Sequence, residues 1–283
     1  MNIDIFIETR KRLHLSQDQL AQGICTQATL SKFERNGKVP SLKILLQLCD
    51  RLELTLNDLF PLNHDEDSVR SQALEQAEFQ LLVGEYDQAQ ASLDKLGDPA
   101  NGTLNFQMRY YFIRGYITAL NGGAIADALY DFSQILNRFD EGHHSMYSLL
   151  AYTGMGVAYN QDGDHIRAEF YFNKVAGEIH NLTFKNSHSI WRSLNIIYYT
   201  GQFYGQTGDL QASDKLLNYG VDVCARYHVT YYLAKILYQR ARNAQQQAGD
   251  PAKIKQDLQD AAAFARLNSN EKLLKQIAAF PQD

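Results

Sequence analysis

The side chains able to do chemistry are all present in this sequence, but not at the spacings that covalent chemistry needs. There is no His-Glu-x-x-His pair, no Cys-x-x-Cys, no Walker glycine loop and no nucleophile elbow. Gly154-Met155-Gly156 lacks the third glycine of a dinucleotide loop and falls inside a helical pattern. His143 and His144 are adjacent in a loop stretch, an arrangement that suits solvent exposure better than metal binding. Cys25, Cys49 and Cys224 are odd in number and far apart, so they make neither a disulfide framework nor a metal cluster and fit a reducing cytoplasm. The expectation is a protein that is not an enzyme and needs no cofactor and no metal. What remains is reversible recognition by hydrogen bonds and charge. Gln27, Ala28, Thr29 and Lys32 share one helical face, opposite Leu30 and Phe33. Asn195, Tyr198 and Gln202 fall at spacings of three, four and seven, and Gln239 and Asn243 are four apart, so each group shares a face.

These side chains need helices to hold them, and the composition supplies helices. Of 283 residues, 45% are hydrophobic and 21% charged, the range of a globular chain. With 5 prolines and 18 glycines, the chain is short of the turns that an all-β fold requires. No apolar run reaches the ~18 residues of a membrane span, and the opening MNIDIFIETRKRL carries charges inside its apolar stretch, so neither a signal peptide nor a membrane partner is expected. The composition changes along the chain. Residues 1–60 hold 8 Lys+Arg against 7 Asp+Glu, whereas the remainder has a net charge of −6. All 17 tyrosines lie between Tyr86 and Tyr238. Two domains are expected: 1–61, a polar linker at 62–68, and 69–283, with Asp67 or Ser68 as the next helix cap.

In the first part, apolar Ile3, Phe6, Ile7 and Leu13 predict a helix over about 3–13. Ser16 with Gln19 is a capping-box pair opening a short second helix, which Gly23 ends. Thr26 caps a third helix from Gln27, Asn36-Gly37 stops it, Ser41 caps a fourth, and Thr55 caps a short fifth. Two short helices joined by a tight turn inside a five-helix unit are the helix-turn-helix plan. Ser16-Gln17, Leu20-Ala21, Ile24, Ser31-Lys32, Glu34-Arg35 and Pro40-Ser41-Leu42 make this stretch resemble the lambda-repressor-like, Xre-type DNA-binding family. The resemblance implies that the third helix enters the major groove, where Gln27, Ala28, Thr29 and Lys32 meet base edges with Thr26 beside them. Gln17 is similar to the position whose amide meets a phosphate, and Lys38 and Lys43 are phosphate candidates. Glu34 corresponds to a residue paired with an arginine of the first helix, here Arg10 or Arg12.

The tyrosine-rich part repeats. Gly84, Gly123, Gly163, Gly208 and Gly249 mark turns separated by 39, 40, 45 and 41 residues. Ala89, Ala128 and Ala168 stand five residues after three of them, followed four residues later by Leu93, Phe132 and Phe172. Gly156, Tyr159, Gly163, Ala168 and Phe172 resemble the tetratricopeptide (TPR) consensus, stretched beyond its usual period. That resemblance implies a right-handed α-solenoid of five degenerate hairpins with a final capping helix, and a concave face lined by the first helix of each hairpin. The inward positions are then Arg109, Phe112, Tyr116, Thr153, Asn160, Asn195, Tyr198, Gln202, Gln239 and Asn243. Their amides would suit the main chain of an extended peptide, and Arg109 a carboxylate.

The whole chain, an all-α helix-turn-helix domain followed by TPR-like repeats, resembles the Rgg/PlcR group of peptide-pheromone receptors from Gram-positive bacteria. This resemblance implies a cytoplasmic homodimeric transcription regulator that binds double-stranded DNA, at an inverted-repeat operator, and takes a short signalling peptide in its groove. The alternatives are a regulator whose repeats hold a protein partner such as an anti-repressor, and a constitutive repressor without a ligand.

Overall fold

The computed structural model describes residues 3–60 and 65–281. It is 76% helical, with no strand among the described residues. Its contacts divide into two units, Met1–Val69 and Arg70–Asp283.

The first unit is built from α1 (Ile3–Arg12), α2 (Gln17–Ala21), α3 (Gln27–Asn36), α4 (Leu42–Arg51) and α5 (Leu56–Leu59). Caps fix where these short helices begin. Ser16 and Gln19 form the reciprocal box at α2, Thr26 accepts from the Thr29 amide at α3, and Thr55 with Asp58 forms a second box at α5. Ser41 stands at the start of α4 but makes no capping bond there, so that expectation fails in detail. Gly37 ends α3 in the left-handed region, at φ 65°. The apolar faces meet in one core of Phe6, Leu20, Leu30, Phe33, Leu45, Leu48, Leu52 and Leu59, with Phe6 edge-on to Phe33 at 5.1 Å.

The second unit is a run of helical hairpins: α6 (Asp65–Val83) with α7 (Tyr86–Asp94), α8 (Leu104–Leu120) with α9 (Ile125–Gln134), α10 (Met146–Gln161) with α11 (His165–Ala176), α12 (Ser187–Thr207) with α13 (Leu210–Tyr227), and α14 (Leu233–Gln246) with α15 (Pro251–Leu267). A last helix, α16 (Glu271–Ala278), follows. Helix α6 starts at Asp65, so Asp67 and Ser68 lie inside it rather than capping it; the expected linker positions 62–64 fall outside the described residues. The repeat signature acts through packing. Phe132 lies so close to α10 that a Cβ on Gly154 would sit 2.2 Å from its ring, and Phe172 approaches Gly156 in the same way at 2.9 Å. Ala89, Ala128 and Ala168 are fully buried, which lets the paired helices approach. One core runs from Leu74 to Ile236. A π-helical turn at Ile135–Phe139 extends α9, a feature that no residue spacing announced.

Candidate functional site

Two places carry recognition chemistry, one in each unit. In the first unit, the start of α3 is exposed, and its leading side chain is held by a relay. Gln27 Nε2 donates to Gln17 Oε1 at 2.7 Å, and Gln17 Nε2 donates to Glu34 Oε2 at 2.7 Å. Glu34 in turn accepts a two-point contact from Arg10, Nε to Oε1 at 2.7 Å and Nη2 to Oε2 at 2.8 Å. The Arg10–Glu34 pair is largely buried and ties α1 to α3, as the family pattern implied. Thr26 and Thr29 join hydroxyls at 2.9 Å, and Ala28, Lys32, Lys38 and Lys43 are exposed. Arg51, which no sequence argument singled out, donates to the carbonyls of Leu20 and Gln22 at 3.0 and 2.6 Å and so caps the end of α2.

In the second unit a cavity of about 790 Å³ opens among the first helices of the hairpins. Tyr198, Gln202 and Gln206 of α12 line it, with Lys235, Tyr238, Arg242 and Gln246 of α14 and Lys272 and Gln276 of α16. The turn Val83–Tyr86 and the last residues of α8 and α10, Leu120 and Gln161, complete the wall. Amides, phenols and three cations share the wall with apolar Val83, Leu120, Leu273 and Phe280. Burial pushes the Tyr86 phenol up to about 12 and the Tyr198 phenol higher still, so both stay protonated and able to donate.

Of the ten expected groove residues, only Tyr198 and Gln202 line this cavity. Asn160 stands beside it, donating to Gln206 Oε1 at 2.9 Å. The others are corrected, each for a physical reason. Phe112, Tyr116 and Thr153 are fully buried. Thr153 bonds back to the Leu149 carbonyl at 2.8 Å. Asn195 is buried between two phenols: it accepts from Tyr116 at 2.9 Å and donates to Tyr232 at 2.6 Å. Asn243 donates to Ser213 Oγ at 2.7 Å and Asp214 at 2.8 Å, and accepts from Gln239 at 2.9 Å, so both amides are satisfied inside the α12–α13–α14 packing. Arg109 cannot take a ligand carboxylate, because it already pairs with buried Glu78, which Arg192 holds from the other side at 2.7 Å. The residues missed, Lys235, Tyr238 and Arg242, have the same three, four and seven spacing as those chosen, one helical step away.

Residues 7–59 match the helix-turn-helix family model. These residues form a helix-turn-helix domain. No curated protein sequence matches the chain. Among solved structures, the helix-turn-helix chain is similar to PlcR of Bacillus thuringiensis in complex with the peptide PapR7 and DNA, at 15% identity and a TM-score of 0.72, covering 97% of this chain and 98% of that one. ComR of S. thermophilus, in complex with DNA and its signalling peptide ComS, aligns at 13% identity and 0.66, covering 97% and 96%. The SHP pheromone receptor Rgg2 of Streptococcus dysgalactiae aligns at 14% identity and 0.60, covering 99% and 98%. At these identities the likeness is one of fold: a helix-turn-helix unit followed by the same helical body. No helix among the described residues is long and apolar enough to cross a membrane, and no group of three or more His, Cys, Asp or Glu among them is placed to hold a metal.

Proposed function

We propose that this helix-turn-helix regulator works in the cytoplasm as a homodimer on an inverted-repeat operator, and that a short signalling peptide bound in the second unit controls it. The observation that carries the peptide reading is the cavity itself. Its volume suits an extended segment, and its amides and phenols offer donors and acceptors to a peptide main chain. PlcR and ComR, which share the fold, were solved with peptides and DNA, and Rgg2 is a pheromone receptor. In the first unit Gln27 and Lys32 read base edges, Thr26, Ala28 and Thr29 pack along the groove, and Gln17, Lys38 and Lys43 meet phosphates. A single head with nearly balanced charge makes few phosphate contacts, which favours a dimer. A protein partner would be better served by a flat charged groove than by a half-open cavity walled by amides, phenols and apolar side chains. Thermal melts of the full chain with fractionated short secreted peptides test the reading. A ligand at a hundred times its dissociation constant adds about 2.7 kcal/mol of stability, so one fraction should raise the melting temperature; no shift with any fraction contradicts peptide control.

A further inference from the structure

Three cations line the cavity, Lys235, Arg242 and Lys272, and no carboxylate lines it among the described residues. Neither lysine has a carboxylate within ion-pair distance among the described residues. Instead each is oriented by a neutral carbonyl at the end of α6: Lys235 Nζ donates to Leu82 O at 2.9 Å and Lys272 Nζ to Gly84 O at 2.7 Å. An ammonium has three donors, so each lysine is aimed by one bond and keeps others for a ligand. Aromatic faces complete the seat, with Lys235 Nζ 5.1 Å from the Tyr232 ring and Lys272 Nζ 4.5 Å from that of Tyr86.

We propose that Lys235, Lys272 and Arg242 form an anchor for a carboxylate of the bound peptide, an inference that rests on the peptide reading above. The like charges line one half-open cavity, and no described residue of its wall supplies their counter-charge. Burial and the neighbouring Lys272 push the Lys235 ammonium down to about 8, the direction expected of a cation awaiting an anion. A carboxylate there meets several charge-assisted donors at once. The arginine that sequence alone suggested for this role, Arg109, is already neutralised by Glu78.

The carboxylate can be a peptide C-terminus or an acidic side chain, and affinity capture by the full-length protein separates the two. Three randomised short-peptide libraries are used: free-acid termini without Asp or Glu, amidated termini with Asp and Glu, and amidated termini without either. Capture from the first library assigns the terminus and capture from the second the side chain. Enrichment over the third is expected to be at least about ten-fold. Lys272→Gln and Arg242→Gln should each abolish that enrichment while the melting curve is unchanged; Lys235→Met should abolish it too, and if that variant fails to fold, the two others decide. Equal capture from all three libraries, or carboxylate-dependent capture that survives Lys272→Gln and Arg242→Gln, overturns the anchor and leaves the peptide reading standing. Capture from none overturns the peptide reading itself.

Discussion

Gln27 meets solvent with its amide already oriented, because Gln17 accepts one of its N–H bonds and is itself fixed by Glu34 and Arg10. A pre-oriented amide discriminates between bases better than a free one, since less side-chain freedom is lost on binding. Gln27→Ala should therefore relax discrimination at one base pair by about 1–3 kcal/mol while leaving binding to unrelated duplexes nearly unchanged. Mobility shifts on an operator and its single-base variants check this, and equal weakening on every duplex would assign Gln27 to the phosphates. Asn195 carries the opposite lesson. Its residue type announced a hydrogen-bonding role, but not with what. Its partners, Tyr116 and Tyr232, are 79 and 37 positions away in sequence, and only the folded packing brings them together. Asn195→Ala takes its partner from the buried Tyr232 phenol and leaves Tyr116 only the Leu150 carbonyl at 3.3 Å, so it should destabilise the fold by about 1–3 kcal/mol. A circular dichroism melt reads this directly; an unchanged melting temperature would return Asn195 to a ligand-contacting role.

At the scale of elements, the caps, turns and small-then-large repeats were legible because they act through neighbours in sequence. Ser16, Thr26 and Thr55 cap as their types and spacings imply. Helical phase was harder. A polar residue on a helix of the second unit faces either the cavity or the next hairpin, and a one-residue step rotates it by about 100°. Gln239 and Asn243 face inward, whereas Tyr238 and Arg242 face the cavity. The spacing is identical, so only the neighbouring hairpin decides. Close packing gives a sharper test. Alanine is the better helix former by about 1 kcal/mol, yet Gly154→Ala would put a methyl 2.2 Å from the Phe132 ring. Overpacking costs about 1–3 kcal/mol, so the clash should win and the melting temperature should fall. At the junction of α14 with α6, the Lys235 ammonium is held at about 8, below its ordinary 10.5. Between those values the unfolded chain binds a proton that the folded chain has lost, so this residue's contribution makes stability rise with pH there. Tyr198 and Tyr232, which face it, and Tyr86, which faces Lys272, are pushed upward and keep their protons across the window, and Lys272 adds like charge. Melts from pH about 8 to about 10 should show an upward component in the wild type that Lys235→Met lacks; parallel curves would mean that the ammonium is not depressed.

For the whole molecule, the proposal joins two recognitions in one chain. In the proposed dimer the first unit, with its nearly balanced charge, would gain operator affinity by doubling its phosphate contacts, and an inverted repeat with half-sites about one helical turn apart, or a multiple of it, would follow from that symmetry. The second unit contributes control only if the peptide favours one dimer geometry over another, because a ligand with equal affinity for both shifts nothing. Coupling between sites is typically about 1–3 kcal/mol, or five- to 150-fold in affinity. The affinity of the full-length protein for a duplex selected from random sequence, measured at fixed salt with and without a saturating captured peptide, tests this most directly. The account predicts a palindromic duplex holding two protomers and a change of at least about five-fold in its affinity on adding peptide. An identical affinity with and without bound peptide would contradict it.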